Sequence, residues 1–247
     1  DIDPAQPTTI SAREIVTVEG HIVDTEGNIA SDFNGLVSPT IYDNEEHIVS
    51  RNNAGDIEAD PFEYDDHTRS IYAGTDSIKS GKFSFTFPVP IDINYSDEEG
   101  LMLLYAINHT KTIEAQNKFE DFLIGGTAED EQTDDVAPTI AAYSDGYNMA
   151  STSYTNEQPT LRIELYDESG INTTGNGLGH DIIAIIDGNE ATTYTLNSYY
   201  SQAVGDYRHG TINYTLPAPL AAGKHTLVIR AFDTYNNMGQ QAYTFTV

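Results

Sequence analysis

Lys82-Phe83-Ser84-Phe85-Thr86-Phe87 alternates aromatic and polar residues without a break. Successive side chains of an extended strand point to opposite faces, so the three phenylalanines share one buried face. Pro88 and Pro90 end the strand, because proline has no N–H to give to a ladder. Outward from it, Arg69 to Gly74 is a further ordered stretch, with Ser80-Gly81 as the turn between. Ile15 to Asp24 reads as a β-branched strand closed by the turn residues Thr25 to Asn28, and Gly35 to Tyr42 as a second strand. Leu101 to Ile107 is apolar on both faces and reads as the central strand of this half. Glu114 to Ile124 reads as either a short helix or a last strand, stopped by Gly125-Gly126. The acidic stretch from Asn52 to Asp66 has no period and reads as a long loop or irregular edge.

Charge divides the 247 residues. Residues 1–135 hold 29 Asp and Glu against 7 Lys and Arg, a net of −22, whereas residues 136–247 hold 10 against 4, a net of −6. The expected organisation is a proline-containing tether over 1–13, an acidic β-sandwich module over 14–126, an acidic linker over 127–137 and a second β-sandwich over 138–247. In the second module, strands are expected near Pro138 to Tyr143, Thr160 to Tyr166, Asp181 to Ile186, Thr192 to Leu196, Tyr207 to Tyr214, His225 to Asp233 and Ala242 to Val247. Short strands at this spacing, separated by Gly, Asn, Asp and Pro, point to an immunoglobulin or fibronectin type III sandwich. The fold class is all-β, two sandwiches in tandem.

A net charge of −28 repels phosphate backbones and anionic membrane surfaces, so nucleic acid is excluded as a partner. With no cysteine, disulfides, thiolate metal sites and thiol catalysis are impossible within these residues. No run approaches the roughly 20 apolar residues of a transmembrane helix. There is no charged-then-apolar leader either, so an export signal is expected to lie outside these residues or to have been removed.

Several polar clusters invite a functional reading. The loop Ser169 to His180 holds four glycines that would let a backbone approach a partner, although glycines at positive φ in a long connection need no ligand. Asp167, Glu168 and Asn172 crowd one loop and Asp233, Asn236 and Asn237 another, the oxygen-bearing residues a calcium ion takes. The plainer reading is turn chemistry, in which Asp and Asn bond their own backbone. His21, His47, His67, His109, His180, His209 and His225 are scattered, with no G-x-S-x-G elbow to supply a serine nucleophile. Tyr199 and Tyr200 are candidates for lining a carbohydrate-binding or adhesin-like patch, the alternative function carried forward, although the stacking tryptophan common at sugar sites is absent. Asp76-Ser77-Ile78 resembles a short O-glycosylation acceptor pattern. No catalytic, cofactor or metal residue is assigned.

Ten segments together resemble the C-terminal, non-catalytic region of the gingipain-like cysteine peptidases, in particular their type IX secretion sortases. In the first module these are VEGHIVDTEG (Val18 to Gly27), DFNG (Asp32 to Gly35), Tyr42-Asp43, IYAG (Ile71 to Gly74), GKFSFTFPVPIDINY (Gly81 to Tyr95) and LYA (Leu104 to Ala106). In the second they are SGINTTGNGLGHDI (Ser169 to Ile182), LNSYY (Leu196 to Tyr200), GKHTL (Gly223 to Leu227) and AFDTYNN (Ala231 to Asn237). The resemblance implies an exported, outer-membrane-associated protein at the surface of a Bacteroidetes-type bacterium. The complete sortase would be a cysteine transpeptidase that trims cargo and attaches it to an anionic lipopolysaccharide. The Cys and His of that activity have no matching positions here, so the implied role is non-enzymatic. The implied partners are the catalytic domain of the same polypeptide and other proteins of the secretion complex.

Overall fold

The computed structural model describes residues 8–51, 60–128, 133–150, 154–174 and 179–247. The first half contains β1 (Thr8–Ala12), β2 (Ile15–His21), β3 (Gly35–Tyr42), β4 (Glu46–Val49), β5 (Glu63–Asp66), β6 (Ser70–Ala73), β7 (Asp76–Ile78), β8 (Lys82–Pro88), β9 (Glu98–Glu99), β10 (Leu101–Asn108), β11 (Glu114–Phe119) and β12 (Phe122–Thr127). The second contains β13 (Thr139–Ser144), β14 (Tyr147–Asn148), β15 (Thr160–Tyr166), β16 (Ile183–Ile186), β17 (Tyr194–Thr195), β18 (Tyr200–Ala203), β19 (Asp206–Thr215), β20 (Lys224–Phe232) and β21 (Met238–Thr246). Two single-turn 3-10 pieces, Glu190–Thr192 and Asn197–Tyr199, are the only helical elements among the described residues.

Each half has its own hydrophobic cluster. In the first, β8 behaves as its alternation requires: Phe85 and Phe87 are 2% and 0% exposed and stack at 6.2 Å. They pack with Val37, Ile41, Met102 and Ala106 of the sheet ordered β11-β10-β3-β6, and Tyr72 stacks on Phe87 at 4.9 Å. Burying each such ring contributes about 1.5–3 kcal/mol. β10 is central in its sheet, as expected, but buries only one face. Leu103 and Tyr105 on its other face are 39% and 38% exposed.

Three expectations need correction. The tether over 1–13 contains a strand: β1 pairs in parallel with β12, and Ile10 and Ala12 are buried. Glu114 to Ile124 is neither one helix nor one strand. It is two strands turning at Glu120-Asp121, and Gly125-Gly126 lies inside β12 instead of ending it. The acidic loop from Asn52 lies outside the described residues over 52–59, but its end, β5, pairs with β4.

The second half has the sheet orders β14-β13-β15-β19-β18 and β17-β16-β20-β21. This is the ABED arrangement facing C′CFG of an immunoglobulin-like sandwich. Leu161, Ile163, Leu165 and Ile212 of one sheet meet Ala184, Leu227, Ile229 and Phe245 of the other, all nearly sealed from solvent. Tyr243 ties the layers: its hydroxyl accepts from the Ala142 N–H at 3.0 Å and donates to the Ile140 carbonyl at 3.2 Å.

Candidate functional site

The segments flagged by sequence converge on the seam between the two halves. Pro88 and Pro90 stop β8 and turn the chain so that Ile91 N–H donates to the Thr234 carbonyl at 2.9 Å, linking the halves through backbone. Asp92 follows and accepts from two groups of the second half, His180 Nδ1 and Asn236 Nδ2, each at 2.7 Å. Its backbone carbonyl accepts from Arg69 at 2.6 Å. The His180 ring lies 4.7 Å from Phe232.

Gly170 shows why this loop needs glycine. Its φ is +92°, and a Cβ there would approach the Pro88 ring to 2.8 Å. The Thr234 hydroxyl donates to the Ser169 carbonyl at 2.8 Å, and Asn172 N–H to the Phe232 carbonyl at 2.8 Å, which bind the loop to the end of β20. Asn197 of the LNSYY motif accepts from Ile182 N–H and donates to the Thr173 carbonyl, closing the loop from the other side. Residues 175–178 of this loop lie outside the described residues. Tyr207 packs onto the first cluster, and burial pushes the Tyr72 hydroxyl, beside Gln202, up to about 12.

Carboxylates of Asp134, Asp167 and Asp233 meet at this seam, with one oxygen of each within 4.8 Å of the others. Asp134 was assigned to the linker and was not among the expected ligands. Asp167 and Asp233 are buried, and burial pushes the Asp233 carboxyl up to about 6, with the Asp167 charge adding to the rise. Burial raises Asp167 as well. These three are the residues that could hold a hard cation, which takes six to eight oxygens. Several of their oxygens already accept hydrogen bonds: Asp233 Oδ1 from Tyr235 and Asn237 N–H and Oδ2 from Asn237 Nδ2. Asp167 Oδ1 accepts from the Ser169 N–H and hydroxyl, and Asp134 Oδ1 from Val136 N–H. These are turn carboxylates, and burial makes Asp167 and Asp233 hold a proton more tightly than isolated acids do.

The other expected ligands do not join it. Glu168 turns out to Tyr166 and Arg208. Asn172 Oδ1 accepts from the Thr174 N–H and hydroxyl. Asn236 reaches Asp92, and Asn237 bridges Asp233 and the Asp134 carbonyl. The tyrosines also part company: Tyr199 is exposed and meets Tyr214 edge-on, whereas the Tyr200 ring lies across Gly210, so the pair offers no common stacking surface. Ser77 is held in β7, paired with β3. His47, His67, His180, His209 and His225 spend Nδ1 on a carboxylate or a carbonyl, and none of them bonds a serine among the described residues. Asp92 and Asp134, which sequence reasoning passed over, carry the seam. The Pro-x-Pro-Ile-Asp spacing was the one available signal for Asp92, since proline stops the strand and frees the next residues to turn.

No protein-family profile matches the chain, and no curated protein does. Among solved structures, that of dimeric latent PorU from Porphyromonas gingivalis matches with a TM-score of 0.57 and 31% identity, over 98% of this chain and 22% of that one. This chain is similar to a region of PorU. It spans under a quarter of the PorU chain it matches. Fibronectin(III)-like modules of Clostridium thermocellum CbhA align over 100% of this chain and 92% of theirs at 11% identity, but a TM-score of 0.26 carries no argument. The stretches on which the resemblance rests include described residues on both walls of the seam: FPVPID on one side, and residues 169–174, 179–182 and AFDTYNN on the other.

Proposed function

We propose that this chain is the non-catalytic accessory region of a cell-surface, gingipain-like sortase of the type IX secretion system. Two sandwiches locked through the Asp92 seam support a catalytic domain carried elsewhere in the parent polypeptide and make the protein contacts needed for cargo attachment. No cofactor takes part. The observation that carries this reading is the PorU match, nearly end to end on this chain yet confined to 22% of the other. The absence of cysteine supports it, since the thiol of such an enzyme has nowhere to sit in these residues. The parent reading frame is expected to encode an α/β domain with a Cys–His pair. Deleting the present 247 residues from the parent should leave exported cargo unprocessed in cells while the remaining cysteine still reacts with a thiol-directed electrophile. Peptide cleavage by the isolated chain, abolished by a single substitution within it, would overturn the proposal.

A further inference from the structure

The first half is open along one side. A groove of about 880 Å³ runs between β2 and β11, floored by Phe83, Met102, Leu104 and Ala106. Val16 and Val18 of β2 and Ala115 and Phe119 of β11 wall it, and all four are only partly buried. Among the described residues, β2 pairs with β8 alone and β11 with β10 alone, so both walls end in an unpaired strand edge. Such an edge offers a row of free N–H and C=O groups to another extended chain. Gly20 adds to the depth: a side chain there would collide with the Phe83 ring, which instead lies against the β2 backbone and stays within the groove lining.

Charge specifies what would fill the groove. The half that carries it has a net charge of −22 over residues 1–135, and Glu19 stands on its rim. A second copy would bring the same charge to the site and be repelled. The chain's own opening residues, DIDPAQP, offer two aspartates and two prolines, which lack both the charge and the N–H groups a ladder requires.

We propose that this groove takes an extended segment of a partner polypeptide, adding as a β-strand to the free edge of β2. Its alternate apolar side chains fill the space over Phe83 and Leu104, and lysine or arginine flanks lie by Glu19 in the negative field of this half. The paired length is set by β2, 7 residues from Ile15 to His21. This goes beyond the accessory reading and does not depend on the identity of the parent.

The test is fluorescence anisotropy of the intact 247-residue chain with a labelled nonapeptide, Lys-Lys-Val-Thr-Val-Thr-Val-Lys-Lys. Binding is expected, at least tenfold weaker for a scrambled peptide that breaks the alternation and for one N-methylated along its ladder-facing amides. Val18→Asp should weaken it at least tenfold, whereas Ser84→Asn, on the exposed face of β8 and outside the groove lining, should change it less than threefold. If Val18→Asp does not fold, the N-methyl comparison on the unaltered chain decides alone. Equal binding of the N-methylated peptide, absence of binding at millimolar peptide, or sedimentation showing that a second copy occupies the groove would each overturn the proposal.

Discussion

A buried carboxylate beside another carboxylate is the least comfortable residue in this protein, and Asp233 is in that position. Burial and the Asp167 charge raise it from an ordinary 3.8 to about 6. The folded state therefore binds a proton more tightly than the unfolded chain. The resulting stabilisation is full below about pH 4 and is lost as pH rises to about 6, on the order of 3 kcal/mol across that window. Asp167→Asn removes the neighbouring charge and presents an amide donor. It should flatten the decline between pH 4.5 and 7 and raise stability at pH 7 by about 1 kcal/mol. Urea midpoints measured across that range would show this, and an unchanged slope in the variant would mean that the two carboxylates are not coupled. Gly170 is constrained by a different force, since its positive φ and the Pro88 ring leave no room for a side chain.

At the level of single elements, β8 carries the first half. Its three rings line one face, and its partner β2 is bound to it over all seven residues from Ile15 to His21. Phe85→Ala removes a ring that is 2% exposed and stacked on both Phe83 and Phe87. The expected loss is about 3–5 kcal/mol, read as a lower melting temperature of the chain. β1 is the opposite case: a short strand with few apolar residues, it is ordered by parallel pairing with β12 at the far end of the same half. No local pattern announces that pairing, because Thr8 to Ala12 holds only one large apolar residue, Ile10.

Across the whole molecule, Asp92 joins two cores that also meet through the Ile91–Thr234 backbone bond, Gly170 against Pro88 and Tyr207 on the first cluster. Asp92→Ala leaves His180 Nδ1 and Asn236 Nδ2 without their acceptor, and an orphaned polar group at a largely buried junction costs about 1–3 kcal/mol. The unaltered chain should unfold in one transition seen alike by tyrosine fluorescence and far-ultraviolet dichroism. In Asp92→Ala the two probes should begin to separate as the coupling between the halves weakens. A double-mutant cycle with Asn236→Ala is expected to return about 1 kcal/mol of coupling, and an additive result would remove Asp92 from this role.

The all-β class, the buried face of Phe83, Phe85 and Phe87, and most strands of the second half were readable directly, because side-chain alternation and turn residues are local properties and a strand's period of two survives in one dimension. Asp167 and Asp233 could be picked out as unusual acids for the same reason: each sits in an Asp- or Asn-rich turn. Their meeting with Asp134, the grip of Asp92 on His180 and Asn236, and the pairing of β1 with β12 join residues tens to more than a hundred positions apart. Such contacts leave no periodic trace along the chain. They come into being only when two separately buried cores are brought face to face and their loops must share out the remaining hydrogen-bond donors and acceptors.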